Sequence, residues 1–235
     1  MHRFDNRDHA GRELARRLRR YRDCRGGIVV ALPRGGVPVA YRIAAMLHLP
    51  LDVMPVRKLG IPGHEEVAMG AIAAGGLCIT RAETIAALKI DPALADAVAY
   101  RELNEIDRQL SLYRCAQPPL RLQRRTVIVV DDGLATGATM TAAVKTIRNQ
   151  HPERIVVAVP VGARLACAEL AELADEVVCI SMPVPFRAVG EAYADFRQTG
   201  DDEVIALLAQ ARSERRDTFS ERRAVPRAAA GTPPP

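Results

Sequence analysis

The chain reads as an α/β protein, with a mainly parallel sheet flanked by helices. Three observations predict this. Short β-branched apolar runs alternate with stretches of helical periodicity along most of the 235 residues, the pattern of repeated strand–helix–strand units. The runs Ile28–Leu32 and Val127–Val130 are apolar at successive positions, as strands buried on both faces are. The loops at 33–36, 57–66 and 131–139 each follow a predicted strand. They therefore gather on the carboxyl edge of the sheet, where ligands of parallel sheets bind.

Each element has its own reason. Ala10, Leu14, Ala15, Leu18 and Tyr21 fall at helical spacing within 8–22, and Gly26-Gly27 breaks the pattern. Strand Ile28–Leu32 leads through Pro33-Arg34-Gly35-Gly36 into a helix over Val37–Leu47, with Pro38 in its first turn. Leu51–Val56 reads as a strand ending in Arg57-Lys58, and Leu59–Glu66, with Gly60, Pro62 and Gly63, as a loop. Met69–Thr80 reads as one or two strands, in the manner of a hairpin. Thr80–Glu83 fits a capping box for a short helix to Lys89. Asp91-Pro92 supplies a cap and a first-turn proline for a helix to Tyr113, stopped by Gln117-Pro118-Pro119. After the central strand and its helix, Met140–Arg148, come strand Arg154–Val159, helix Ala163–Leu173, strand Glu176–Ile180, loop Met182–Phe186 and helix Val204–Arg212. Residues 213–235, ending in Thr-Pro-Pro-Pro, are expected to be a disordered tail.

Composition bounds the function. Apolar residues make up 49% and charged residues 26%, ordinary for a globular protein. With no Trp and few other aromatics, the core must be Ala, Val, Leu and Ile. No apolar run approaches the ~20 residues of a membrane helix, and the first residues carry no signal-peptide pattern. Five scattered cysteines without a CxxC pair indicate neither a zinc site nor a disulfide framework, and a cytoplasmic location is expected. The net charge is +5, of which the tail holds +2. That is modest for nucleic-acid binding but enough to draw a polyanionic small molecule into a cleft.

Chemistry concentrates in 126–140, Thr-Val-Ile-Val-Val-Asp-Asp-Gly-Leu-Ala-Thr-Gly-Ala-Thr-Met. A buried strand ends on two adjacent carboxylates, then a loop of small residues opens a helix. Such a loop lets backbone N–H groups close on a phosphate, and the helix N-terminus adds donors and a favourable dipole. Asp131 and Asp132 stand where ribose hydroxyls or a divalent cation would lie. The whole segment closely resembles the phosphoribosyl pyrophosphate (PRPP) motif of type I phosphoribosyltransferases: four apolar residues, two acids, two variable residues, then a small or acidic residue before Thr-Gly-x-Thr.

The resemblance covers a core of 28–200. It implies the type I phosphoribosyltransferase fold over 1–212, with a helical insertion at 81–113 and a hood partly from 181–197. It implies that Asp131 and Asp132 bind the ribose hydroxyls and, through them or water, Mg²⁺. The loop Gly133, Leu134, Ala135, Thr136, Gly137, Ala138 and Thr139 would hold the 5-phosphate. Leu32–Val37 is similar to the family's pyrophosphate loop, so Arg34 and Gly35 would bind pyrophosphate, with a non-proline cis peptide between them. Arg57 and Lys58 match the cations that open the family's flexible loop, which would include His64, Glu65 and Glu66; a solvated basic edge would show the same residues. Phe186 is the candidate for contact with an acceptor ring, against the alternative of a small hydrophobic cluster. Ala135 stands where 6-oxopurine enzymes carry an Asp and adenine enzymes an Ala, which makes hypoxanthine or guanine a poorer candidate. The implied reaction transfers phosphoribose from PRPP to an acceptor with release of pyrophosphate, in a homodimer. One other reading remains open, a PRPP-sensing regulator on the same fold; a relative of the enzymes that make PRPP would need an ATP site, and none is read in the sequence.

Overall fold

The structure is a computed structural model that describes residues 3–61, 64–74, 78–80, 86–88, 90–115 and 117–224. Its centre is a five-stranded, wholly parallel sheet of β1 (Ile28–Ala31), β2 (Leu51–Val53), β6 (Thr126–Val130), β7 (Arg154–Val161) and β8 (Glu176–Ser181). The strands lie in the order β2-β1-β6-β7-β8. Side chains alternate between the two faces. Val30, Val127, Val129, Ile155 and Val157 pack on one side against α4 (Ala138–Arg148) and α5 (Arg164–Ala171). Val29, Ala31, Ile128, Val130 and Val156 pack on the other against α1 (Arg7–Arg17), α2 (Gly36–Leu47) and α6 (Asp201–Ala224). Helices thus cover both faces, which is why the central strands are apolar at every position.

A second sheet is antiparallel and consists of β3 (Val56–Ile61), β4 (His64–Ala73) and β5 (Cys78–Thr80), in that order. This corrects the expected loop at 59–66. Gly60 and Pro62 suggest a break, but β3 and β4 pair from Val56↔Ala73 to Ile61↔His64, with register shifts around Gly60. A glycine within a strand often marks such a bulge. The expected capping box and the start of its helix lie largely outside the described residues.

The helix α3 (Pro92–Tyr113) begins as anticipated, with Asp91 accepting from the Ala93 N–H at 2.9 Å and Pro92 in the first turn. Its Val98 and Ile106 close a separate cluster with Leu59, Ile61, Met69 and Ile72 of the hairpin. Ile106→Ala is expected to cost about 2–5 kcal/mol, read as a lower urea midpoint. An unchanged midpoint would contradict the docking of α3 on the hairpin.

The final helix does not end at Arg212. It runs to Ala224, so 213–224 is helix and not disordered tail. The segment from Ser213 to Ala224 has neither Gly nor Pro and is rich in Glu and Arg, good helix formers. Glu214 also accepts from the Tyr41 hydroxyl at 2.7 Å, tying the extension to α2.

Candidate functional site

The strand order reverses at β1 and β6. Connections from these neighbours leave in opposite directions, which opens a crevice at their carboxyl ends. The loop after β1 carries Arg34-Gly35-Gly36 and the loop after β6 carries Asp131 to Gly137. The two loops meet. A Cβ on Gly35 would lie 2.7 Å from the Asp132 Cγ, and one on Gly36 would lie 2.7 Å from Val130 O. Only a residue without a side chain allows this approach. The non-proline cis peptide lies at Pro33–Arg34, one bond earlier than the resemblance implied.

In the β6 loop, Leu134 is buried. Its N–H donates to Val161 O at 2.9 Å and its carbonyl accepts from Ala163 N–H at 2.8 Å. Leu134 therefore pins the loop to β7, and its N–H is taken. Gly137 caps α4 at a positive φ of 76°, a conformation glycine adopts at no steric cost. The first bond back along the helix is from Thr141 N–H to Gly137 O, 2.8 Å. The amides of Ala138, Thr139 and Met140 thus project from the helix end as donors for an anion. Ala135 and Thr136 are exposed beside them.

The acidic pair is dense with negative charge. Burial, then the charge of Asp132, pushes the Asp131 carboxyl well above the ordinary range. Burial also raises Asp132, against the opposing pull of Arg7. Asp131 accepts from the Asp132 N–H at 2.8 Å. Arg7 of α1 donates from Nε and Nη2 to Asp132 Oδ2, at 2.8 and 2.7 Å, and from Nη1 to Arg197 O at 2.7 Å. Its guanidinium lies 4.0 Å from the centre of the Phe196 ring, which itself stacks on Tyr193. The Tyr193 hydroxyl donates to Asp132 O at 2.6 Å, and burial keeps it protonated by raising its pKa.

Arg7 and Tyr193 hold Asp132, with Phe196 packed against both, and no motif announces Arg7. Arg7 lies 125 positions away, just ahead of the helix anticipated over 8–22. Residues 4–5 pair with 192–195 through backbone bonds such as Phe4 N–H to Ala192 O, 2.8 Å, and this brings Arg7 to the crevice.

The other anticipated residues divide. Arg34 reaches Asp201 at 3.6 Å, and Asp201 also holds Arg108 and the Tyr113 hydroxyl of α3. Arg57 and Lys58 occupy adjacent positions of β3, not a strand end, and so face opposite sides. Arg57 turns to α3, where its Nε donates to Glu102 at 2.8 Å. The two cations are therefore not brought together. His64, Glu65 and Glu66 begin β4, and their side chains lie outside the described residues. Phe186 packs against the cluster of Phe4, Ala192 and Tyr193.

Two carboxylates face one guanidinium, an imbalance that suits an added cation. Among the described residues no group of three or more His, Cys, Asp or Glu could hold a metal alone. Mg²⁺ commonly takes one or two carboxylates and completes its shell with substrate oxygens and water, and the pair fits that use.

The phosphoribosyl transferase domain model matches residues 5–195, and the chain belongs to that family. It is 42% identical, over 96% of its length, to two Mycobacterium tuberculosis proteins. They are "Putative phosphoribosyl transferase Rv0571c" (strain ATCC 25618 / H37Rv) and "Putative phosphoribosyl transferase MT0597" (strain CDC 1551 / Oshkosh). The chain spans about half, 50%, of the length of these relatives. Among solved structures it is similar to TT1426 from Thermus thermophilus. The TM-score is 0.74 and the identity 39%, covering 88% of this chain and 98% of that one. No described helix is long and apolar enough to cross a membrane.

Proposed function

We propose that this chain transfers 5-phosphoribose from PRPP to a nucleophilic acceptor, nucleobase-like or otherwise, and releases pyrophosphate. The observation that carries the reading is the contact of Gly35-Gly36 with Asp131-Asp132 across the switch point. It brings a candidate pyrophosphate loop and a candidate ribose pair within the reach of one PRPP molecule.

In this reading the amides at the start of α4, with Thr136 and Thr139, hold the 5-phosphate. Asp131 and Asp132 accept from the ribose hydroxyls and face the positive charge that develops on the sugar as the bond to pyrophosphate breaks. Arg34 and the amides around Gly35 stabilise the departing pyrophosphate, aided by Lys58. Asp131 and Asp132 would hold Mg²⁺, directly or through water, and the ion would supply positive charge that favours departure of the pyrophosphate. Arg7 keeps Asp132 from turning away, so the sugar is held aligned. The acceptor would enter beneath the hood at 181–197.

The test is incubation with PRPP, Mg²⁺ and a panel of nucleobases, with pyrophosphate measured. Release that depends on one acceptor is the expected result. PRPP binding without release for any acceptor would instead favour a PRPP-sensing regulator.

A further inference from the structure

A second cavity, of about 490 Å³, lies at the opposite end of the parallel sheet. Its walls are the Asp23–Gly27 loop before β1, the carboxyl half of α2, Arg125 just before β6, and the stretch of α6 around Glu214. That volume is within the range of about 300–1,000 Å³ typical of small-molecule sites.

Its chemistry is cationic. Arg25, Arg125 and Arg215 line it together with His48. Arg125 is set in place, donating from Nε to Gly26 O at 3.0 Å and from Nη2 to Gly27 O at 2.9 Å. Burial, then the nearby charge of Arg215, makes its proton easier to lose. Two guanidiniums thus converge on one space. Of the two acids there, Asp23 lies 3.2 Å from His48, and Glu214 accepts from the Tyr41 hydroxyl at 2.7 Å and from Gln210 at 2.9 Å. The floor is apolar, formed by Ala44, Ala45 and Leu49.

We propose that this cavity binds a phosphorylated small molecule the size of a nucleoside monophosphate, its phosphate between Arg125 and Arg215 and its body over the Ala44–Leu49 floor. Planar guanidiniums suit a phosphate through paired N–H donors, and the apolar floor gives the rest of the ligand a surface to leave water on. The site is separate from the crevice, which lies at the other end of the same strands. The proposal stands whether or not the chain transfers phosphoribose. Both α2 and α6 run between the two places: α2 starts at Gly36 and reaches His48, and α6 starts at Asp201, beside Arg34, and passes Arg215.

The experiment is hydrogen exchange by mass spectrometry on the full chain, with AMP, and with adenosine as the probe lacking phosphate. AMP is expected to slow exchange at 23–27 and 208–215, with no effect from adenosine. Arg215→Glu is expected to weaken this protection about tenfold or more in AMP concentration, while any protection at 131–141 persists. Arg25→Glu, on another element, is expected to act in the same direction. Protection confined to 131–141, equal protection by adenosine, or full protection at 23–27 in both variants would overturn the proposal.

Discussion

Gly35→Ala is expected to lower PRPP affinity about a hundredfold, since displacements of about 1 Å at a reacting centre carry costs of that order. The thermal midpoint should fall less than for Gly36→Ala, by what the displaced Arg7–Asp132 pair contributes. Gly35 has φ −59° and ψ −31°, a backbone alanine adopts freely, and such a change is often mildly stabilising. The harm lies in the new methyl group, 2.7 Å from Asp132 Cγ and closer still to Oδ2. Asp132 cannot simply retreat, because Arg7 holds its Oδ2 and Tyr193 holds its carbonyl. The carboxylate must leave its place, and with it the contact proposed for the ribose hydroxyls. The neighbouring Gly36→Ala is the contrast. Its Cβ would meet backbone, Val130 O at 2.7 Å and Asp131 Cα at 3.0 Å, so its cost should appear in the thermal midpoint as well. Calorimetry and thermal melts on the two variants separate the cases. Wild-type PRPP affinity in Gly35→Ala would contradict the juxtaposition.

Asp131→Asn is expected to do two opposite things: stabilise the unliganded protein at pH 7 and remove most PRPP binding. Asparagine keeps the acceptor that Asp131 offers to the Asp132 N–H but not the charge. The sign follows from linkage. A carboxyl raised in the folded state makes that state bind more protons than the unfolded chain. Stability therefore falls as pH rises from the ordinary carboxylate range through the raised value. Removing the carboxyl removes that fall. The gain in midpoint should be about 2–4 °C for each kcal/mol relieved, present at pH 7 and fading as pH falls towards the ordinary carboxylate range, where the Asp131 carboxyl is already protonated. A midpoint lower than wild type at pH 7 would contradict the repulsion. Acidic residues that strain an empty site and serve a bound ligand are a common trade of stability for function.

Much of this was legible in the chain. Val127–Val130, the acid pair and the Gly-Thr loop are contiguous, so one window holds strand, carboxylates and helix start. Asp91-Pro92 announced α3 because cap and first turn are local. What sequence concealed is tertiary. Arg7 acts on Asp132 only because residues 4–5 pair beside Tyr193, and nothing near residue 7 says so. Leu134 matched a phosphate-loop position, yet its N–H is committed to Val161. Arg57-Lys58 read as a pair, but strand geometry points them apart, and the partner of Arg57, Glu102, lies in α3. Gly60 and Pro62 resembled a loop because local signals cannot see the ladder that pairs β3 with β4.

The most direct measurement is calorimetric titration of PRPP with Mg²⁺ into the wild-type protein and into Asp131→Asn/Asp132→Asn, each checked as folded by its thermal melt. One PRPP per chain in the wild type, and no measurable binding in the double variant, is the predicted result. Equal affinity in the two would contradict the assignment of the β1–β6 crevice as the PRPP site.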